Sequence, residues 1–361
     1  MDVTMESSSS SSSSDSEDEL FLEFVNYERR PYVVKPRVDH FSDLDDVEFF
    51  TRFRLRKETV LFILMRVETE ITPGRENANT IPPMARLLLT LRFYALGSML
   101  ITVGDFVGVS KPAACEIVRV VSSAIASMAQ EYIKMPSTPQ ELTAAQTKFY
   151  QRCGLPRVVG ALDCTHVKIQ SPGGLMAEQF RNRKGYFSLN VQSVSSEDLQ
   201  ILNLVVRWPG SVHDQTIFNN SALKNQFERG DFGNGILLAD CGYANTRYVA
   251  TPLAQTRNAA ERQYQEAVIR GRNPVEIKYG VWKRRFPVLS LGLRLKLPNA
   301  QAVVLATGVL HNIAKLMDGA EPPLDPSVCL PPDEIDDGEI FDGVAPDGNA
   351  RDELIDYIAQ R

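Results

Sequence analysis

The spacing of apolar positions divides this chain in two. Upstream of about residue 136 they recur every three or four residues. In DDVEFFTRFRLRKETVLFILMRVETEI, Phe49, Phe53, Val60, Phe62, Ile63 and Val67 fall at helical spacing, which predicts amphipathic helix. A Pro/Gly/Asn break covers 73–83, and PPMARLLLTLRFYALG resumes the helical pattern. The next stretch, TVGDFVGVSKPAACEIVRVVSSAIASMAQEYI, reads as a helix-turn-helix. A short helix ends at a turn on Val109 and Ser110. Ser110 suits the N-cap, Lys111-Pro112 opens the second helix, and Ile117, Val120, Val121 and Ile125 form its inner stripe. Two readings stand here. The motif contacts DNA through Lys111, Glu116 and Arg119, or it is a helical bundle packed on the domain that follows.

From residue 157 the pattern changes to short apolar runs alternating with helical segments. RVVGALDCTHVKIQ, YFSLNVQSVSS, LQILNLVVRWPG and GILLAD predict four strands, the second and third joined by a turn at Ser196-Glu197-Asp198. DQTIFNNSALKNQFERG predicts one helix between the third and fourth strands. NPVEIKYGVWKRRF and AQAVVLATGVLHNIAKLM predict two more after the fourth. Three strands, a helix, a fourth strand and further helices is the order of an RNase H-like domain, an α/β fold with one mixed sheet flanked by helices. The expected organisation is therefore a disordered Ser/acidic tail over 1–19, an all-α domain with the helix-turn-helix over 20–135, and a Pro/Gly linker over 136–156. The RNase H-like domain follows over 157–317, then an acidic tail over 318–361.

Composition changes this picture in one respect. The net charge of −6 hides a segregation of charge. Residues 1–19 hold six acids and no base, and residues 318–361 hold thirteen acids and two bases, which leaves +11 on residues 20–317. A basic body between acidic tails suits a polyanion-binding protein, or an ordinary enzyme with solubilising tails. The five cysteines (115, 153, 164, 241, 329) form no CxxC pair and no Cys/His cluster, which argues against a disulfide scaffold or a structural zinc site. No stretch approaches the roughly 20 apolar residues of a membrane span, so no membrane partner is expected.

The candidate chemistry rests on four acids: Asp163 in VVGALDCTHVKIQ, Asp214 in WPGSVHDQTIF, Asp240 in GILLADCGYA and Glu276 in NPVEIKYGVWKRRF. Three stand at or just after apolar runs that read as buried strands, where a carboxylate needs a compensating partner. A pair of divalent cations is such a partner and can cut a phosphodiester. Hard cations such as Mg²⁺ or Mn²⁺ take oxygen ligands and keep several waters, so few carboxylates suffice. Each acid also has a purely structural reading. Asp163 is a strand aspartate, Asp214 an N-cap for a helix beginning at Gln215, Asp240 a turn residue, and Glu276 the third position of a capping box on Asn273-Pro274. Together, in this order, they favour the metal-ion reading. Val275, Tyr279, Trp282 and Phe286 form one apolar stripe, with Glu276 beside it. Lys283, Arg284 and Arg285 place positive charge about two turns further on, where a phosphate backbone can run. FRNRKGYFSLN is a second basic cluster, with Arg181, Arg183 and Lys184 and interleaved Tyr186 and Phe187; it reads as a nucleic-acid contact or a solvated hairpin.

GALDCTHV, the NRKG-Y-SLNVQ stretch, PGSVHD, LLADCGY with TPL, the VE…KRRF helix and the closing VLHNI together resemble the PIF/Harbinger superfamily, over about Arg86 to Lys315. They are most similar to its transposase-derived nucleases of animals. The resemblance implies a DDE-type metal-dependent endonuclease core. Asp163, Asp240 and Glu276 would be the catalytic triad, Asp214 a further metal ligand, and paired Mg²⁺ or Mn²⁺ ions the cofactor. It implies DNA as substrate, self-association as a further expectation, and a Myb/SANT-like DNA-binding partner that brings the nuclease to DNA. Location in the nucleus, and also the cytoplasm with import through that partner, follows; no clear basic import signal is present. A catalytically silent DNA- or chromatin-binding protein is the alternative.

Overall fold

A left-handed residue breaks the first long helical pattern in two. In a computed structural model that describes residues 38–74, 80–319, 321 and 349–361, Arg54 adopts φ 63°. It separates α2 (Asp46–Phe53) from α3 (Lys57–Ile71), behind a short α1 (His40–Asp43). The predicted tail over 1–19, residues 20–37 and most of the acidic segment after 319 lie outside the described residues. Pro83 begins α4 (Pro83–Leu96), which Gly97 ends in the left-handed conformation. The helix-turn-helix forms as predicted. α5 (Leu100–Val107) stops at left-handed Gly108, and the Ser110 hydroxyl accepts from the Ala113 amide to start α6 (Lys111–Ser127). The buried stripe of α6 includes Ala114, Ile117, Val118, Val121 and Ile125.

After the short α7 (Ala129–Tyr132), the Pro/Gly segment 136–156 is built around a helix. Most of it is α8 (Pro139–Cys153), started by a reciprocal capping box between Thr138 and Glu141. Its Phe149 and Cys153 are buried in the cluster that also takes in Phe53, Ile117 and strand residues such as Val158 and Val191. The helical segment and the sheet therefore share one core.

The sheet has strand order β3-β2-β1-β4-β5. It comprises β1 (Val158–Lys168), β2 (Ser188–Ser195), β3 (Ile201–Pro209), β4 (Ile236–Leu238) and an additional short β5 (Val249–Ala250). β1 to β3 form an antiparallel meander, while β4 and β5 run parallel to β1. The single helix expected after β3 is two, α9 (Asp214–Asn219) and α10 (Ala222–Arg229), because Ser221 caps a new start at Lys224 N–H.

The largest departure is α11 (Ala259–Arg285). It is 27 residues long, begins at an Asn258 cap, and carries Pro274 in its interior. Asn273 is therefore not the N-cap and Glu276 is not part of a capping box. An interior proline removes one backbone bond and costs about 3 kcal/mol in a typical helix. Burial of Tyr264, Val268, Val275, Tyr279 and Trp282 along α11 offsets that cost, at about 1.5–3 kcal/mol for each large apolar side chain. After α12 (Val288–Leu291), α13 (Leu297–Met317) crosses the core. Among the described residues it is one helix long and apolar enough to span a membrane, contrary to the reading of the sequence, but 67% of its most apolar window is buried in the protein. The last residues of the acidic segment fold as α14 (Ala350–Ala359), where Ala350 N–H donates to Thr246 O and Arg157 pairs with Glu353 at 2.6 Å.

Candidate functional site

Sheet register brings two of the four acids together. β1 and β4 pair in parallel with Ala161 beside Leu238. Carried two residues further along both chains, that register sets Asp163 beside Asp240. β4 ends at Leu238, so Asp240 lies just past the strand while Asp163 is still within β1. The Asp240 carboxylate accepts from Gly242 N–H at 3.0 Å, so its role in the turn is real as well. Asp214 arrives from the other direction, at the first residue of α9. The cap position belongs to His213, and so the N-cap reading of Asp214 does not hold.

One carboxylate oxygen from each of Asp163, Asp214 and Asp240 lies within 4.8 Å of the other two. Opposite ligands of a single Mg²⁺ sit about 4.2 Å apart, so a small side-chain adjustment lets the three share an ion. The electrostatics agree. Burial, then the neighbouring Asp240 charge, pushes the Asp163 carboxyl up to about 7; Arg272 opposes the shift and Asp214 adds to it. Carboxylates held this close repel one another, and a divalent cation would relieve that repulsion.

Glu276 stands apart from the three aspartates. It is on α11 with its side chain 60% exposed, and it is tied to the cluster through Arg272. Arg272 Nη2 lies 3.7 Å from Asp163 Oδ2 and 3.8 Å from Glu276 Oε1. The geometry thus joins Asp163, Asp214 and Asp240 directly and Glu276 by way of this guanidinium.

A layer of buried polar side chains holds the acids, and it went unnoticed in the sequence. Asn190 Nδ2 donates to Asp214 Oδ1 and to Val212 O, both at 2.8 Å. Gln192 Nε2 reaches the Tyr243 hydroxyl at 3.4 Å. Beneath Asp163, fully buried Lys278 donates to the Ser193 hydroxyl. Ser193 Oγ bonds the Tyr279 hydroxyl at 2.8 Å, and that hydroxyl donates to Asp163 O at 2.8 Å. Burial pushes the Lys278 ammonium well below its usual range. The polar alternation of SLNVQSVS was the available signal, since all eight residues of β2 are buried.

The basic residues fare unequally. Arg285 is corrected: it is 1% exposed, donates to Arg54 O at 2.8 Å and pairs with Asp318, so it is not on a DNA-facing surface. Arg284 lies 3.8 Å from Glu321, an acid of the C-terminal segment, and Lys283 is half-buried beside it. Arg181 is exposed, holds Glu178 and Gly185 O, and stacks 4.4 Å from the Phe187 ring centroid. Arg183 and Lys184 are exposed on the same turn. On α6, Lys111 is exposed, and Arg119 pairs with Glu116 one turn away.

Residues 162–312 match the family model described as DDE superfamily endonuclease, a span that holds all four acids. The chain is 28% identical over 306 residues to the Homo sapiens protein named "Putative nuclease HARBI1", covering 82% of this chain and 87% of that protein. It is 26% identical over 277 residues to the Xenopus laevis protein of the same name, covering 76% and 79%. It is 23% identical over 293 residues to the Arabidopsis thaliana protein "ALP1-like", covering 74% and 71%. No solved structure is significantly similar. A mixed five-stranded sheet flanked by helices, a clustered set of aspartates and these relatives point the same way: the chain carries a DDE superfamily endonuclease match and is similar to the Harbinger transposase-derived nucleases.

Proposed function

We propose that this protein is a divalent-metal-dependent DNA endonuclease that hydrolyses phosphodiester bonds with paired metal ions. The observation that carries the reading is the convergence of Asp163, Asp214 and Asp240 from three separate elements. Those three residues would hold the first ion, and Glu276, released from Arg272, would complete the set from α11. Mg²⁺ or Mn²⁺ bound there supplies a polarised water and a counter-charge for the leaving oxygen. The chain's own part is to fix the ligands: β1 and β4 set two by register, and Asn190 orients the third. Transposase ancestry extends the reading to strand transfer, with a freed 3′-hydroxyl in place of water.

DNA would run over Arg181, Arg183, Lys184, Lys283 and Arg284, with Lys111 and Arg119 of the helix-turn-helix as a separate contact. A Myb/SANT-like partner and nuclear location, with import through that partner, belong to the same proposal. The test is nicking of supercoiled plasmid with Mg²⁺ or Mn²⁺. Cleavage that survives Asp163→Ala or Asp240→Ala rules out the assigned site.

One observation favours a second reading, a silent DNA- or chromatin-binding protein. An Arabidopsis thaliana relative, 25% identical over 46% of this chain, is named "Antagonist of like heterochromatin protein 1". In that case duplex affinity is indifferent to Glu276→Gln and to metal.

A further inference from the structure

Arg272 is the least satisfied cation near the acidic cluster. Its side chain is 15% exposed, and both carboxylates within reach stand beyond hydrogen-bond distance, at 3.7 and 3.8 Å. Its Nε is buried with no hydrogen-bond partner. A guanidinium has five donors in a planar fork suited to carboxylate or phosphate. The buried Nε–H, left idle, is costly unless another acceptor arrives.

The local fold holds the group there. Gly271 lets α11 approach β4 closely, because a Cβ at that position would collide with the Leu238 side chain. One turn later Val275 is fully buried, so the helix has little freedom to rotate Arg272 away from Asp163. Once cations bind the carboxylates, they compete with Arg272 for Asp163 and Glu276. The guanidinium then lies beside the bound ions with its donors free.

We infer that Arg272 is the residue that binds the substrate phosphate at this site, its guanidinium passing from Asp163 and Glu276 to a non-bridging oxygen of the DNA backbone. The assignment rests on the metal-site reading above and adds a role for a residue outside the acidic set. It makes Arg272 a competitor of the metal in the free protein and a ligand of DNA in the loaded one.

The experiment measures two bindings without cleavage. Mn²⁺ uptake is followed by electron paramagnetic resonance, and duplex affinity by fluorescence anisotropy in Ca²⁺, for wild type, Arg272→Ala, Arg272→Lys and Asp163→Asn. Circular dichroism checks that each variant is folded. Arg272→Ala should bind Mn²⁺ as tightly as wild type or more tightly, yet bind duplex about ten-fold or more weakly, the effect of losing a charge-assisted bond. Arg272→Lys keeps the charge without the fork and should fall between; it carries the test if the alanine variant does not fold.

Duplex affinity within about two-fold of wild type overturns the assignment, on the same scale of bond energies. So does a loss of Mn²⁺ affinity in Arg272→Ala, which would make the residue a ligand positioner instead. With inorganic phosphate as the probe, Arg272-dependent phosphate binding without Arg272-dependent duplex binding overturns it as well. Failure of the underlying reading looks different: wild type takes up no Mn²⁺, or Asp163→Asn takes up as much.

Discussion

Asn190 and Asp214 share a hydrogen bond of 2.8 Å, and the same amide nitrogen ties down the Val212 carbonyl just before α9. One side chain on β2 therefore sets both the carboxylate and the backbone that carries it. Groups that orient ligands in this way are worth about ten- to a hundred-fold in metal affinity. Asn190→Ala should weaken Mn²⁺ binding by that factor with little change in melting temperature, as read by titration calorimetry. Unchanged Mn²⁺ affinity would mean that Asp214 is not a ligand.

Metal binding should depend on pH through Asp163. Its carboxyl, raised to about 7 from an ordinary 3.8, must lose a proton before it coordinates. Affinity should rise about ten-fold from pH 6 to pH 8 and then level off. The metal-free protein should show the opposite sign for this group. Its folded state holds the proton more tightly than the unfolded chain, so the contribution of Asp163 to stability falls as pH rises from about 4 to about 7. Asp163→Asn should abolish both effects, the second checked by urea denaturation in EDTA.

His311 should govern part of the acid sensitivity. It is fully buried on α13, within hydrogen-bonding distance of Leu199 O at 2.8 Å, and burial lowers its imidazole to about 3 from 6.5. The unfolded chain takes a proton there below pH 6.5 while the folded protein does not. This contribution is thus complete above that pH and is lost on acidification toward 3. Linkage gives about 2 kcal/mol lost between pH 7 and pH 5. His311→Gln should flatten that limb of the stability curve, and a slope identical to wild type would sink the assignment.

Arg285 and Asp318 form a buried pair at 3.6 Å, with side chains 1% and 0% exposed. Burial lowers the guanidinium to about 10 and raises the carboxyl, so desolvation outweighs the attraction on both partners. The pair is costly to bury yet costlier to break. Asp318→Ala should lose about 3–5 kcal/mol, because it strands a buried cation. Arg285→Met with Asp318→Leu should recover most of that. Equal loss in the single and double variants, in guanidinium titrations, would contradict this account.

Much of the fold was legible because the apolar period marks strands and helices directly. β1 to β4 and the stripe of Val275, Tyr279, Trp282 and Phe286 appear where the pattern put them, all four stripe residues being buried. What failed was local chemistry with two meanings. Asn273-Pro274 resembles a helix start, yet packing of Tyr264 and Val268 extends α11 by 14 residues upstream, from Asn273 to Ala259. A helix begun at Asn273 leaves out Arg272, which the longer helix sets one turn before Glu276 on the same face. The cluster KRRF was read as one basic surface, whereas the stripe that buries Trp282 also turns Arg285 inward. Strand ends and register bring Asp163 and Asp240 side by side, which an apolar run ending in an acid does signal. VLHNI, read only as part of a resemblance, has a structural reason. Asn312 bonds both the amide and the carbonyl of Ile201, at 2.8 and 2.7 Å, and His311 meets Leu199, so the motif clamps the start of β3.

The docking of α14 bears on how the molecule should be handled. β5 is the outermost strand on its side, and Ala350 and Leu354 are buried where α14 meets β5 and α11. Trimming the chain before Asn349, as an eye to its acidity alone would advise, would bare apolar surface beside a short edge strand and invite sticking between molecules. Purification handles are better placed at the opposite terminus, and a shortened version that precipitates should not be mistaken for an inactive enzyme.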